Sequence, residues 1–531
     1  MTDSLPRVPV VTADGARELD ARTIATLPDS FTLMRRAGMA AAAWLGAREE
    51  RSAAIYVGAG NNGGDGWVIA GALRGMGWNV TVHSAGDPHT ADAQRARSEA
   101  ERDGPFAPPT GSEALVLDAL LGTGASGSPR GAVAGAMQLM RDMLRADTSV
   151  IAIDIPSGLD ASTGEDFGAV AATHTLTFGS ARRGQLLRRE LTGAVHVLDI
   201  GLIDADAHEP RLVDADAVRR WMPVVAPDAY KGTRGRVAIV GGDTGMAGAA
   251  IIAARGAHAT GAGMVRANVV RESMLALQIA VPFATVHPHE HGDWSDIDTR
   301  WPHAMVIGPG LDGTDVALRE RVLSLLYGYP GPVVLDAGAL TAFHLREQPD
   351  TENTEDIEGT EGAGREHTTL EALRHALRGR PAILTPHVRE FAGLWPSYAP
   401  HARFDAPSQL ARALNATVLL KGVPSIIASP DGSRLVSAAG NPALAMGGTG
   451  DLLAGIAGTL LAQGLSALHA GAAASWVHGV AAEYAATAHG GWRGVTMERL
   501  LNELSNVWPQ LFTQACGNST TLLDLPSVPL R

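Results

Sequence analysis

Three glycines ahead of an apolar run of small residues constrain this chain most: NPALAMGGTGDLLAGIAG, residues 441–458. Gly447, Gly448 and Gly450 permit left-handed and crowded backbone, so the stretch predicts a tight turn feeding a helix that starts near Asp451. The first amides of such a helix have no intrahelical partner and form an anion pocket. The helix dipole adds only about 0.3–1 kcal/mol, so convergent N–H groups would do most of the work of holding a phosphate. A carboxylate beside a phosphate repels it unless a metal ion or a proton lies between them. Asp451 is therefore either an ordinary acid of a first helical turn or a general base that takes a proton from a hydroxyl as its oxygen meets phosphorus, and spacing alone decides neither. Gly455 and Gly458 each cost up to about 1 kcal/mol against Ala in a helix interior, which points to close packing against a neighbour or a ligand.

No Lys-Ser or Lys-Thr follows the glycines, so the stretch is not a Walker A loop. Asn441-Pro442, Met446 and Gly447-Gly448-Thr449-Gly450-Asp451 with the small-residue helix behind them resemble the signature of the ribokinase-like ADP- or ATP-dependent NAD(P)H-hydrate dehydratases. Upstream, strands are expected at Val237–Val240, Met305–Ile307, Val333–Leu335, Ala382–Leu384 and Thr417–Leu420, with a hairpin around Asp431-Gly432, and the resemblance extends over residues 228–511. It implies that Lys421, Gly422, Val423, Pro424, Ser425 and Gly450 meet ADP or ATP, brought in with Mg²⁺. It also implies that Ala249, Gly310, His387 and Asp451 meet a hydrated substrate, Asp451 as catalytic base. A lone His such as His387 also suits a structural turn. The family commonly has Lys-Gly-Ala-Gly-Thr where this chain has Lys421-Gly422-Val423-Pro424-Ser425, and Pro424 removes a backbone donor. Its Asp-Ala-Asp motif is Asp336-Ala337-Gly338 here.

The N-terminal half has a helical opening over 12–48, then a strand at Ala53–Val57, the turn GAGNNGGDG, a helix from Trp67 to Met76 and a strand at Val80–Val82. Gly58, Gly60 and Gly63 match the GxGxxG dinucleotide fingerprint, but Asp65 stands close to where a pyrophosphate would sit. Strands Leu115–Leu117 and Val150–Ile153 lead into DALLGTGASGS and DIPSGLD. Ligands of an open α/β sheet sit beyond the carboxyl ends of its strands, so Asn62, Asp118, Asp154 and Ser157 should converge there, although any one of the acids could merely cap a helix.

Together VGAGNNGGDG, DALLGTG, DIPSGLDASTG and TLTFG (175–179) resemble the Rossmann-like NAD(P)H-hydrate epimerase family over residues 12–203; Ala59 stands where the family often has Pro. The resemblance implies that the dinucleotide is substrate rather than cofactor. It assigns Asn61, Asn62, Gly63, Gly64 and Asp65, with Gly122, Thr123, Gly124, Ala125, Ser126, Gly127 and Ser128, to substrate binding. It assigns Asn62, Asp118 and Ser157 to K⁺, and Asp154 to substrate and proton transfer.

A chain of 531 residues exceeds one core, and 45% hydrophobic content suffices for two; the resemblances imply that these are an α/β Rossmann-like domain at 1–222 and an α/β ribokinase-like domain at 223–531. The net charge of −13, with no long basic tract, argues against nucleic acid as a partner. A single cysteine, Cys516, suits a reducing compartment, and the absence of a signal segment or a long uninterrupted apolar span predicts a cytoplasmic protein with no membrane partner. A homo-oligomer is expected. Residues 347–367 are acidic, rich in Thr and Gly, and expected to form a disordered insertion, and the tail after Gln514 is expected to be loose.

The combined expectation is repair of the hydrates NADHX and NADPHX: epimerisation of the R and S forms at C6 of the nicotinamide ring, then dehydration of the S form by phosphorylation and elimination. Phosphate leaves where hydroxide would not. The competing expectation is a ribokinase-superfamily small-molecule kinase with an appended non-catalytic nucleotide-binding or interaction domain. A dinucleotide-dependent oxidoreductase fits least well, because of the acid-bearing loop.

Overall fold

The computed structural model describes residues 5–206, 208–345 and 361–513. It divides into two compact units, one spanning Arg7–Leu212 and the other running from Val213.

In the N-terminal unit a 6-stranded parallel sheet runs in the spatial order Asn79–Ser84, Ser52–Val57, Leu115–Ala119, Ser149–Ile153, His174–Phe178, Ala194–Leu198. Alternate residues serve opposite faces. Ile55, Leu117 and Ile151 pack under helices Phe31–Gly46 and Asn61–Gly75. Tyr56, Val116 and Val150 pack under Met137 and Met140 of helix Gly131–Met143. Helices on both faces are what a parallel sheet requires, and strand order reverses between Ser52–Val57 and Leu115–Ala119, where such sheets open a crevice.

The opening over 12–48 is two helices, Ala13–Ile24 and Phe31–Gly46, broken around Pro28, with the Thr12 side chain capping the first. The helix expected from Trp67 begins at Asn61. Only Gly58-Ala59-Gly60 forms the turn, because Gly63 lies directly on the Gly58 backbone carbonyl, an approach that any Cβ would block. A short parallel pair, Val10–Val11 with Ala181–Arg182, has no counterpart in the sequence pattern.

In the C-terminal unit the sheet order is Thr285–His289, Met264–Val270, Arg236–Val240, Ala304–Ile307, Val333–Leu335, Ala382–Leu384, Thr417–Leu420, all parallel. The antiparallel strands Ser425–Ala428 and Arg434–Ser437 continue it and form the hairpin expected at Asp431-Gly432. Helices Ala247–Ala259, Thr449–Ala462 and Ala467–His489 cover one face, and Leu318–Gly328 and Ala406–Leu414 the other. Gly455 abuts the Ala253 carbonyl and Gly256 the Leu452 carbonyl, so these two helices cross backbone to backbone; Gly458 lies against Val306 of the sheet.

Residues 361–367, part of the expected disordered insertion, are helical: they open helix Glu361–Ala376, whose later residues Leu373 and Ala376 are buried in the core and anchor it. The rest of the insertion and the tail after Gln514 lie outside the described residues. Among the described residues no helix is long and apolar enough to cross a membrane.

Candidate active sites

The crevice of the N-terminal unit is a cleft of about 690 Å³, within the range of small-molecule sites. Asn61, Asn62 and Asp65 reach it from the first turns of helix Asn61–Gly75, which no side chain caps. Asn62 is only 9% exposed, yet neither its amide oxygen nor its amide nitrogen has a hydrogen-bond partner. A buried, unsatisfied amide costs about 1–3 kcal/mol. Gly63 and Gly64 are buried behind this wall, the second against Met34.

Gly122 sits between Asp154 and Asn62: a Cβ there would stand 2.9 Å from Asp154 Oδ2 and 3.1 Å from Asn62 Cβ. Asp154 follows strand Ser149–Ile153 with φ 66°, a left-handed conformation that costs a non-glycine residue about 1–3 kcal/mol and tends to persist where function demands it. Two bonds hold it in place: its N–H donates to Leu176 O (2.7 Å), and Gln185 Nε2 donates to its carbonyl (2.6 Å). Thr123 N–H donates to Asp154 Oδ2 at 2.7 Å and Arg182 Nη2 to Oδ1 at 3.0 Å. Arg182 is 4% exposed and its remaining donors go to Thr123 Oγ1 (2.8 Å), Ser180 O (2.9 Å) and Ser180 Oγ. Sequence reading missed it. Burial pushes Asp65 well above the usual carboxylate range, with Asp154 and Asp20 adding to the rise.

Asp118 and Ser157 lie beneath the cleft floor. Asp118 is the buried fourth residue of strand Leu115–Ala119 and accepts from Leu120 N (3.2 Å), Ser157 N (2.8 Å) and Ser157 Oγ (2.6 Å), while Ser157 Oγ accepts from Leu121 N (2.9 Å). Burial raises the Asp118 carboxyl despite these bonds. Gly124 and Ala125 line the cleft with Gly122 and Thr123; Ser126 and Gly127 line a small neighbouring cavity, and Ser128 is exposed and lines neither.

In the C-terminal unit Gly448, at φ 91°, turns the chain into helix Thr449–Ala462, again with no side-chain cap. Thr449 instead donates its hydroxyl to Leu444 O (2.9 Å) and Met446 O (3.1 Å), fixing the turn. Strand ends supply the rest. Lys421 Nζ donates to Asp336 Oδ1 at 2.8 Å and lies 3.8 Å from Glu390 Oε2, while Thr385 Oγ1 donates to Asp336 Oδ1 at 2.7 Å. Burial pulls the ammonium down, but Asp336 and Glu390 outweigh it, so the Lys421 pKa is raised. Asp451 is pushed up to about 7, first by burial and then by Asp336, with Lys421 opposing and Glu390 adding. Gly450 belongs to this cluster, since a Cβ on it would sit 3.3 Å from Lys421 Nζ.

His387 caps helix Val388–Leu394: its Nδ1 accepts from Arg389 N (3.1 Å) and Glu390 N (3.2 Å), and its own N–H donates to Glu390 Oε2 (2.8 Å). Its structural role in a turn is therefore real, and Nε2 lies 3.7 Å from Glu390 Oε1. Ala249 and Gly310 stand together, a Cβ on Gly310 falling 3.0 Å from Ala249 Cβ. The Lys421–Ser425 loop is fastened by Arg403, another residue missed in the sequence, which donates to Lys421 O (3.1 Å) and Pro424 O (2.8 Å); the Gly422 amide is taken by Ser425 Oγ at 3.3 Å. Among the described residues no group of three or more His, Cys, Asp or Glu is arranged to hold a metal.

Comparison with known proteins gives concordant results. The family model for the YjeF-related protein N-terminus matches residues 30–184, and that for NAD(P)H-hydrate dehydratase matches residues 237–357 and 366–506. The chain is 34% identical to a bifunctional NAD(P)H-hydrate repair enzyme Nnr of Salinibacter ruber, covering 90% of this chain and 92% of that protein. It is 31% identical to the enzyme of the same name from Escherichia coli K12, covering 90% and 89%. Among solved structures, an ADP/ATP-dependent NAD(P)H-hydrate dehydratase from Bacillus subtilis, co-crystallized with ATP/Mg²⁺, is 28% identical with a TM-score of 0.46, covering 56% of this chain and 97% of that one.

Proposed function

The chain belongs to the bifunctional NAD(P)H-hydrate repair enzymes, and from that membership we propose how its two units divide the work. It is an epimerase and a dehydratase of NAD(P)H hydrates in one polypeptide: the R and S hydrates are interconverted, and the S form is returned to NAD(P)H. We assign epimerisation to the N-terminal unit and dehydration to the C-terminal unit.

In the N-terminal cleft Asn62 and its neighbours bind the hydrated dinucleotide and Asp154 moves a proton at the C6 hydroxyl, with Arg182 and the Thr123 amide orienting its carboxylate. K⁺ suits the oxygen donors Asn62, Asp118 and Ser157: one amide oxygen lacks any partner, and Asp118 is a buried carboxylate whose nearest bonds come from neutral groups. When bound, the ion would supply fixed positive charge.

In the C-terminal site the uncapped amides at Gly447–Gly450 receive the transferring phosphoryl group, Lys421 and the loop to Ser425 hold ADP or ATP, and Asp451 takes the proton of the C6 hydroxyl. Elimination of phosphate then restores the reduced ring. Three carboxylates, Asp336, Glu390 and Asp451, surround the single ammonium of Lys421, so an entering phosphate needs Mg²⁺, carried in on the nucleotide, to offset charge.

Asp451 carries this conclusion, since a carboxyl with a pKa of about 7 at an open helix N-terminus is a base suited to neutral pH. The test adds protein, Mg²⁺ and ADP or ATP to mixed R and S NADH hydrate and follows the absorbance of reduced nicotinamide. Full recovery is expected. Recovery halting at the S fraction would remove the epimerase assignment, and a stable phosphorylated product without recovery would return the small-molecule kinase.

A further inference from the structure

The N-terminal cleft contains a carboxylate that the mechanism above does not use. Asp20 lies on helix Ala13–Ile24, one turn after Ala16 and one turn before Ile24, and all three line the cleft with Asp154 and Arg182. The helix is fixed there. Leu19 and Thr23 are buried on its inner side, and Thr23 Oγ1 accepts from Ile203 N at 3.2 Å. An acid on a helix face that packs inward needs a partner, yet among the described residues Asp20 makes neither a hydrogen bond nor an ion pair. Arg182 acts on it through space only, because the hydrogen bonds of that guanidinium go to Thr123, Ser180 and Asp154. The other charged or titratable groups on the cleft wall are Arg17, Asp65, His89 and Asp92. The unpartnered amide of Asn62, nine-tenths buried on the same wall, marks the space between these groups as ligand space.

We propose that Asp20 is the second catalytic residue of epimerisation, the acid that works opposite Asp154. It rests on the assignment of epimerase activity to this cleft. As the C6–O bond of the hydrate breaks, the lone pair of N1 forms the N1=C6 double bond and the departing oxygen takes the Asp20 proton, leaving as water. A water molecule then adds to the other face of C6, the N1=C6 pair returns to nitrogen, and Asp154 takes the proton that the added oxygen sheds. One water leaves and one enters. Asp20 has lost a proton and Asp154 has gained one, and exchange through the solvent of the cleft resets the pair. Two carboxyl groups from different elements, one hydrogen-bonded to an arginine and one not, suit complementary proton roles. In support, burial raises Asp20 to about 6, with Arg182 opposing and Asp154 adding.

The test uses the full chain without ADP or ATP, so that dehydration is silent, and follows R-to-S conversion of NADH hydrate by chromatography across pH. The wild-type rate should fall as pH rises through about 6, where Asp20 loses its proton. Asp20→Asn should slow conversion at pH 6 by about 100-fold and abolish that fall, while Asp20→Glu should recover part of the rate. S-hydrate dehydration by the same preparation, with nucleotide added, checks that the chain is folded. Wild-type rate and pH profile in Asp20→Asn would overturn the proposal, as would a slowed variant that keeps the wild-type profile, which is the mark of a merely structural residue. No conversion by the wild type would instead overturn the epimerase assignment itself.

Discussion

Asp154 and Asp451 each follow the carboxyl edge of a largely parallel sheet, near a glycine-rich turn and the uncapped start of a helix. Their electrostatic partners differ. Asp154 has a buried guanidinium at 3.0 Å and a backbone amide at 2.7 Å, one bond to each carboxylate oxygen. The cation near Asp451 is instead directed at Asp336, 2.8 Å from Lys421, and Asp451 is left as the carboxyl with the raised pKa. Two similar scaffolds thus set up different proton chemistry through the choice of which acid the local cation pairs with. A reaction that must work on both faces of one carbon benefits from a fixed polar frame, whereas one that must deprotonate a hydroxyl in concert with phosphoryl transfer needs a base that titrates near neutrality.

The sharpest way to break this contrast is to exchange the losses. Asp451→Asn should lower dehydration of the S hydrate by about 10²–10⁴-fold and leave interconversion of R and S hydrates untouched, and Asp154→Asn should do the reverse. Chromatography of the hydrates alongside nicotinamide absorbance reads both, and a variant that lowered both activities equally would mean that the two sites are not independent.

The glycines offer a second, smaller contrast. Gly63 rests on the backbone of Gly58, so Gly63→Ala should cost about 3 kcal/mol or more, seen as an early unfolding transition of the N-terminal unit. Gly450 faces only the ends of Lys421 and Asp336, so Gly450→Ala should melt with the wild type while raising the KM for nucleotide by about tenfold. A melting curve for Gly63→Ala that matches wild type would show that the first turn can relax.

The smallest effect is on pH. In its proposed role Asp451 works only when deprotonated, so dehydration should rise with pH through about 7 and level off above it. Lys421 holds that carboxyl down and Asp336 pushes it up. Lys421→Met should therefore move the limb upward by about one pH unit and Asp336→Asn should move it downward, both read from kcat–pH profiles at saturating nucleotide.

Most of the scaffold was legible because strands such as Ala382–Leu384 and Thr417–Leu420 are short apolar runs with a turn residue or a charge directly after them. The edge strand Thr285–His289 and its neighbour Met264–Val270 escaped notice because Arg266, Asn268, His287 and Pro288 interrupt the apolar pattern. Boundaries at the sites shifted for a related reason: glycines look like loop, yet at Gly63 they allow a helix to begin earlier by close backbone approach. Arg182 was invisible because Arg182-Arg183 looks like a solvated pair. Its burial depends on Thr123, Asp154 and Ser180, brought together only by the fold. Asp20 did leave a trace, an acid spaced one turn from Ala16 and from Ile24 on an inward face. His387 carried its own signal, since Glu390 three residues on completes a capping box.

The crossing of helices Ala247–Ala259 and Thr449–Ala462 bears on how this sequence can drift. A glycine codon becomes an alanine codon by one base change, and within most helices that change stabilises the fold by about 0.5–1 kcal/mol. At Gly256 and Gly455 the same step would push a methyl group into the opposite backbone, so the easiest mutation is barred on both sides of the contact. The helix that presents Asp451 is thereby kept in register with the helix that presents Ala249, and a lineage could relax one of these glycines only after the opposing helix had moved away.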